Sequence, residues 1–91
     1  MLLGDILNRL ADDGETAEII LGAGDLRMLA AMRERADAAG LDLAAFAKAA
    51  VLRYATEASD EEWTTLIGLM GRASDPGMAC LKRAFDAALR A

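Results

Sequence analysis

The sequence predicts an all-α domain of five or six short helices, packed as a compact orthogonal or bundle-like array. Three observations carry that expectation. Ala, Leu, Arg, Glu and Met, the better helix formers, dominate the chain, whereas Val occurs once (Val51) and Ile is scarce, so little favours a sheet. Apolar residues recur at alternating three- and four-residue spacing through most of the length. Small polar residues and glycines stand where those stretches begin and end. At 91 residues the chain is read as one domain, residues 1–91. A chain of this size buries only about 60–65% of the surface its unfolded form exposes, so covering more of it in a dimer adds stability.

The first stripe is Leu3, Ile6, Leu7, Leu10 and Ala11, opened by Gly4-Asp5 and stopped by Asp12, Asp13 and Gly14. The second segment, ETAEIILGAG, is ambiguous. Its apolar run Ile19, Ile20, Leu21 suits a short helix or a short strand, while Glu15 and Glu18 suit a helix start and Gly22 and Gly24 close it. A third helix is predicted over 25–39, with Leu26, Leu29, Met32 and Ala36 on its apolar side, Met28 widening it, and Gly40 as a left-handed end. The fourth, over 43–58, is capped by Asp42 and carries Leu43, Phe46, Ala47, Ala50, Val51, Tyr54, Ala55 and Ala58. Leu52 falls outside that stripe.

The fifth and sixth helices, 60–72 and 76–90, hold the single Trp, Pro and Cys of the chain. Ser59 and Glu62 have the spacing of a capping box, in which each side chain satisfies a backbone donor near the other. Asp60, Glu61 and Glu62 place negative charge at the positive end of the helix dipole. Trp63, Leu66, Ile67 and Met70 form the expected buried stripe, with Leu69 outside it. Fifteen residues on, Ser74 or Asp75 caps and Pro76 takes the first helical position, where its missing donor is harmless. Met78, Leu81, Phe85, Ala88 and Leu89 form the last stripe. These rare residues mark two helix entries and their packing.

The same inventory argues against several chemistries. The chain has no His, which removes the commonest general base and zinc ligand. Cys80 has no second thiol, and on an apolar helix it reads as a small buried hydrophobe. ADDGETAE lacks the alternating ligand spacing of a calcium loop, and LGAGD lacks the third Gly of a dinucleotide fingerprint. No catalytic, cofactor-binding or metal-ligating residues are therefore assigned, and no cofactor is expected. The net charge of −5 opposes attraction to nucleic acid and to anionic membranes. No basic leader precedes the first apolar run and no segment reaches the roughly 20 apolar residues of a spanning helix, so the expected location is the cytoplasm.

Residues 18–58 resemble the ribbon-helix-helix fold of CopG- and Arc-type regulators, through Gly40, Asp42, Phe46, Ala50, Val51 and Tyr54 at the second helix of the pattern. The resemblance implies a strand before two helices, an intertwined dimer, and outward strand side chains that read DNA. Thr16, Glu18 and Ile20 would stand at those outward positions, and they do not supply the basic or amide groups that read base edges. The whole chain, with its ASDEEW and DPG segments, also looks similar to small bacterial helical proteins, a likeness that implies no function.

The expected function is a non-enzymatic protein–protein interaction or regulatory module acting as a homodimer. Ile19, Met28, Leu52 and Leu69 are its candidate contact residues. Two alternatives stand beside it: a ribbon-helix-helix DNA-binding regulator, and a small accessory subunit that holds a cofactor through Cys80 or near Trp63.

Overall fold

Five acidic or hydroxylic side chains set where the helices begin. In the computed structural model, which describes residues 3–90, Asp12, Asp25, Asp42, Ser59 and Asp75 each accept a hydrogen bond from the backbone N–H three residues on, at 2.8, 2.9, 2.7, 3.1 and 3.2 Å respectively. Each satisfies a donor that the first turn of a helix leaves without an internal partner. The helices of the described residues are α1 (Leu3–Asn8), α2 (Asp13–Ala23), α3 (Leu26–Ala39), α4 (Leu43–Glu57), α5 (Asp60–Arg72) and α6 (Pro76–Arg90). No strand occurs among them. The all-α expectation therefore holds.

One boundary differs from expectation, and one open reading is resolved. The Asp12-Asp13-Gly14 segment does not stop the first helix. α1 already ends at Asn8, and Asp12 is the cap from which α2 starts. The ambiguous run Ile19, Ile20, Leu21 lies inside α2, so the segment that precedes the two helices of the ribbon-helix-helix likeness is itself helical. At the end of α3, Gly40 takes φ 71°, and its N–H bonds the carbonyls of Ala36 and Asp37. A side chain there would strain against the backbone, which is why glycine stands at this turn.

α6 is the helix around which the others gather. It packs against α2, α3, α4 and α5, and its Leu81, Ala84 and Phe85 are fully buried. Ile6, Ile20, Met32, Val51, Tyr54 and Leu66 close over it from the remaining helices, and Leu10 from the turn after α1. The radius of gyration is 12.2 Å, the value of about 12 Å expected for a compact chain of this length. Cys80 is buried in this core, as its apolar neighbours implied, and burial pushes its thiol pKa up.

Three apolar stripes are covered less completely than their spacing suggests. Leu26 is 73% exposed. It is the first residue of α3, and a helical side chain leans back over the preceding turn, which here does not exist. On α4, Ala44 is buried where Phe46 is only half covered. On α5, Trp63 and Ile67 are 38% and 67% exposed, and only Leu66 is fully buried. The cause is position: α5 lies at the edge of the molecule and packs chiefly on α6, so one line of its side chains meets a neighbour.

Candidate interaction surfaces

The outer edge of α5 is one candidate surface. Trp63 and Ile67 stand four residues apart, hence on one face of the helix. Both are exposed, and half-buried Met70 continues the line. The edge begins at the acidic turn Asp60, Glu61, Glu62 and ends at Arg72. Trp63 is held from behind by Tyr54, with ring centroids 6.2 Å apart and planes inclined at 44°. A tilted pair of this kind limits the motion of an exposed indole, presenting it as a fixed apolar surface.

The four contact residues expected from sequence lie on four different helices. Ile19 on α2 and Met28 on α3 are half-buried and pack against the core, and Leu69 on α5 is likewise half-buried. Leu52 on α4 is 45% exposed and remains available for contact. Sequence reasoning placed Trp63 and Ile67 inside because it assumed that a full apolar stripe meets a full neighbour.

The second surface is a trough along α4 and α6. A cavity of about 350 Å³ opens between the end of α4, the start of α5 and the end of α6, lined by Arg53, Tyr54, Glu57, Ser59, Glu62 and Arg90 over an alanine floor. An adjoining hollow of about 270 Å³, lined in part by Arg35, Phe46 and Ala49, shares Ala50, Arg53 and Ala88 with it. Both are open to solvent along one side.

Three residues from three helices lock the wall of this trough. The Tyr54 hydroxyl donates to Glu62 Oε2 at 2.5 Å, and Arg83 donates to the same carboxylate through Nε at 2.8 Å and Nη2 at 2.5 Å. The two bonds from Arg83, then the one from Tyr54, hold the Glu62 carboxyl below its ordinary range. Burial first, and the Glu62 anion second, push the Tyr54 hydroxyl up to about 12. The capping box expected at Ser59 is thus half present. Ser59 caps the Glu62 N–H, but the Glu62 side chain turns away to bind Tyr54 and Arg83.

Among the described residues no three carboxylate or thiol groups converge in a way that could hold a metal ion, and no helix is long and apolar enough to cross a membrane. Comparisons with protein families, with curated proteins and with solved structures find no match to this chain.

Proposed function

We propose that this chain is a non-enzymatic protein–protein interaction or regulatory module that acts as a homodimer, joined along the outer edge of α5. The observation that supports the reading is the exposure of Trp63 and Ile67 on adjacent turns of a helix whose other side is seated on α6. A two-fold axis near Ile67 lays two α5 helices antiparallel. The acidic first turn of each copy, Asp60 and Glu61, then meets Arg72 of the other. In this register Trp63 faces Gly71 of the second copy, a position with open space where a Cβ would be. Free, buried Cys80 suits a reducing compartment such as the cytoplasm.

The dimer is weak by its dimensions. A 13-residue helix is about 20 Å long and about 10 Å across. Such a strip contributes less than the roughly 800 Å² per partner of a standard stable interface. A strip below standard size marks a weak, transient contact, so dimerisation is expected between concentrations on the order of 10 μM and 1 mM. Sedimentation velocity tests it. Wild type is expected to shift from monomer to dimer across that range, Ile67→Glu to stay monomeric with unchanged helix content, and Leu26→Glu to dimerise as wild type does. A wild-type monomer at about 1 mM, the weak end of the affinity scale, overturns the proposal.

A further inference from the structure

The trough between α4 and α6 has a charge opposite to that of the chain that forms it. The protein carries a net −5, yet three arginines, Arg35, Arg53 and Arg90, line the trough against two glutamates, Glu57 and Glu62, and Glu62 is paired with Arg83 behind it. Those arginines come from three helices far apart in sequence, so the concentration is a product of the fold.

We propose that this trough docks an acidic amphipathic helix of a partner protein. Length is the first argument. The lining runs along α4 from Phe46 to Glu57, a span of about 17 Å, which accepts about three helical turns. Depth is the second. The floor at Ala50, Ala84, Ala87 and Ala88 ends at Cβ, so a helix seated there approaches within the roughly 8 Å of the closest helix pairs.

Charge decides which helix fits. The Glu62 carboxylate is already held by Arg83 and Tyr54 and repels little. Arg53 is paired with Glu57 at 2.8 Å, but both side chains are 62% exposed, and an exposed pair four residues apart on a helix is weak. A partner carboxylate exchanges into that pair easily. Arg90, with Glu62 already bound elsewhere, offers a second cation at the far wall. Glutamates flanking an apolar stripe meet both, while lysines there would meet like charge. A small molecule fits less well. Sites for small ligands enclose roughly 70–90% of their surface, and this trough is open along its length.

The test uses the full chain and two designed, dye-labelled helical peptides of roughly fifteen residues, long enough to fill the trough. One has an Ala/Leu stripe flanked by Glu, and the other has Lys at every Glu position. Fluorescence anisotropy is expected to show the acidic peptide binding at least about ten-fold more tightly than the basic one. Amide shifts on the labelled protein should fall within residues 46–59 and 84–90. Arg53→Glu combined with Arg90→Glu should weaken acidic-peptide binding by about ten-fold or more. Ala49→Trp, which fills the adjoining hollow from an exposed position, should also weaken it. Ile67→Glu, on the opposite business of self-association, should leave it unchanged. Equal binding of the two peptides overturns the proposal. So does the absence of acidic-peptide binding at about 1 mM, where even weak complexes form. Shifts centred on Trp63 and Ile67, or a charge-reversed variant that binds like wild type, would also overturn it.

Discussion

Tyr54 donates a 2.5 Å hydrogen bond to Glu62, and this contact ties the end of α4 to the start of α5. Arg83 grips the same carboxylate from α6, so one acidic side chain joins three helices at the wall of the trough. Between them Tyr54 is buried, while Glu62 and Arg83 are mostly covered. The contact therefore bears on stability as well as on the shape of the surface.

Replacing Glu62 with Gln keeps the volume but removes the anion from a site that holds Arg83 and the Tyr54 hydroxyl. Hydrogen bonds to a charged group are worth about 1.5–3 kcal/mol, and partial exposure reduces this one. Glu62→Gln is expected to lose about 1–2 kcal/mol of unfolding free energy, and Tyr54→Phe about 1 kcal/mol. Urea unfolding followed by circular dichroism checks both. The double variant should lose less than the sum, because each single change already breaks their common bond.

The same pair sets the pH limits of stability. The Glu62 pKa is lowered in the fold, so its contribution is full above its unfolded value and disappears as pH falls through the folded one. Stability should decline below about pH 4.5, and Glu62→Gln should flatten that decline. Tyr54 behaves in the opposite sense. Its pKa is raised to about 12, so its contribution is full below the ordinary tyrosine value near 10 and is lost as pH rises toward the folded one. Tyr54 is the only tyrosine, so phenolate absorbance reports it directly. The folded titration should lie well above that of urea-unfolded chain, and Glu62→Gln should move it down.

Thr16 is fully buried, and its hydroxyl has no hydrogen-bond partner among the described residues. A buried hydroxyl without a partner carries a desolvation cost that an isosteric methyl group does not. Thr16→Val should stabilise the protein by about 0.5–1.5 kcal/mol, measured as a higher urea midpoint at unchanged slope. A lower midpoint would show that the hydroxyl is satisfied in solution.

The long helices were legible in the sequence because caps and apolar spacing agree. Asp42 with Gly40 before it, Ser59, and Asp75 with Pro76 after it mark chain positions that the backbone uses as expected. Asp12-Asp13-Gly14 misled because the same residue types that end one helix cap the next. The Tyr54–Glu62–Arg83 network was not legible. Its members are 8 and 21 residues apart, a separation no local period reports. One signal was present: a tyrosine on an otherwise apolar face needs a partner for its hydroxyl, and acidic residues open the following helix. Exposure of Trp63 and Ile67 was hidden for a related reason. Spacing shows which residues share a face, whereas coverage depends on which helices arrive beside it.

Asp75 separates the worth of a cap from that of an ion pair. It accepts the Met78 N–H at 3.2 Å as the cap of α6 and also receives Arg9 Nη1 and Nη2 at 3.3 and 3.2 Å. The Arg9 contact first, and the Met78 N–H second, hold its carboxyl below the ordinary range. Both side chains of the ion pair are more than a third exposed, at 37% and 44%, so salt and water screen it. The cap bond is local and needs no charge. Asp75→Asn keeps an acceptor for Met78 and gives up the charge opposite Arg9, whereas Asp75→Ala gives up both. Thermal midpoints should therefore fall in the order wild type, Asp75→Asn, Asp75→Ala, with the larger step between the last two. Added salt should bring wild type and Asp75→Asn together while leaving the Ala step in place. A larger first step, insensitive to salt, would mean that the Arg9 contact rather than the cap fastens α6 to the end of α1.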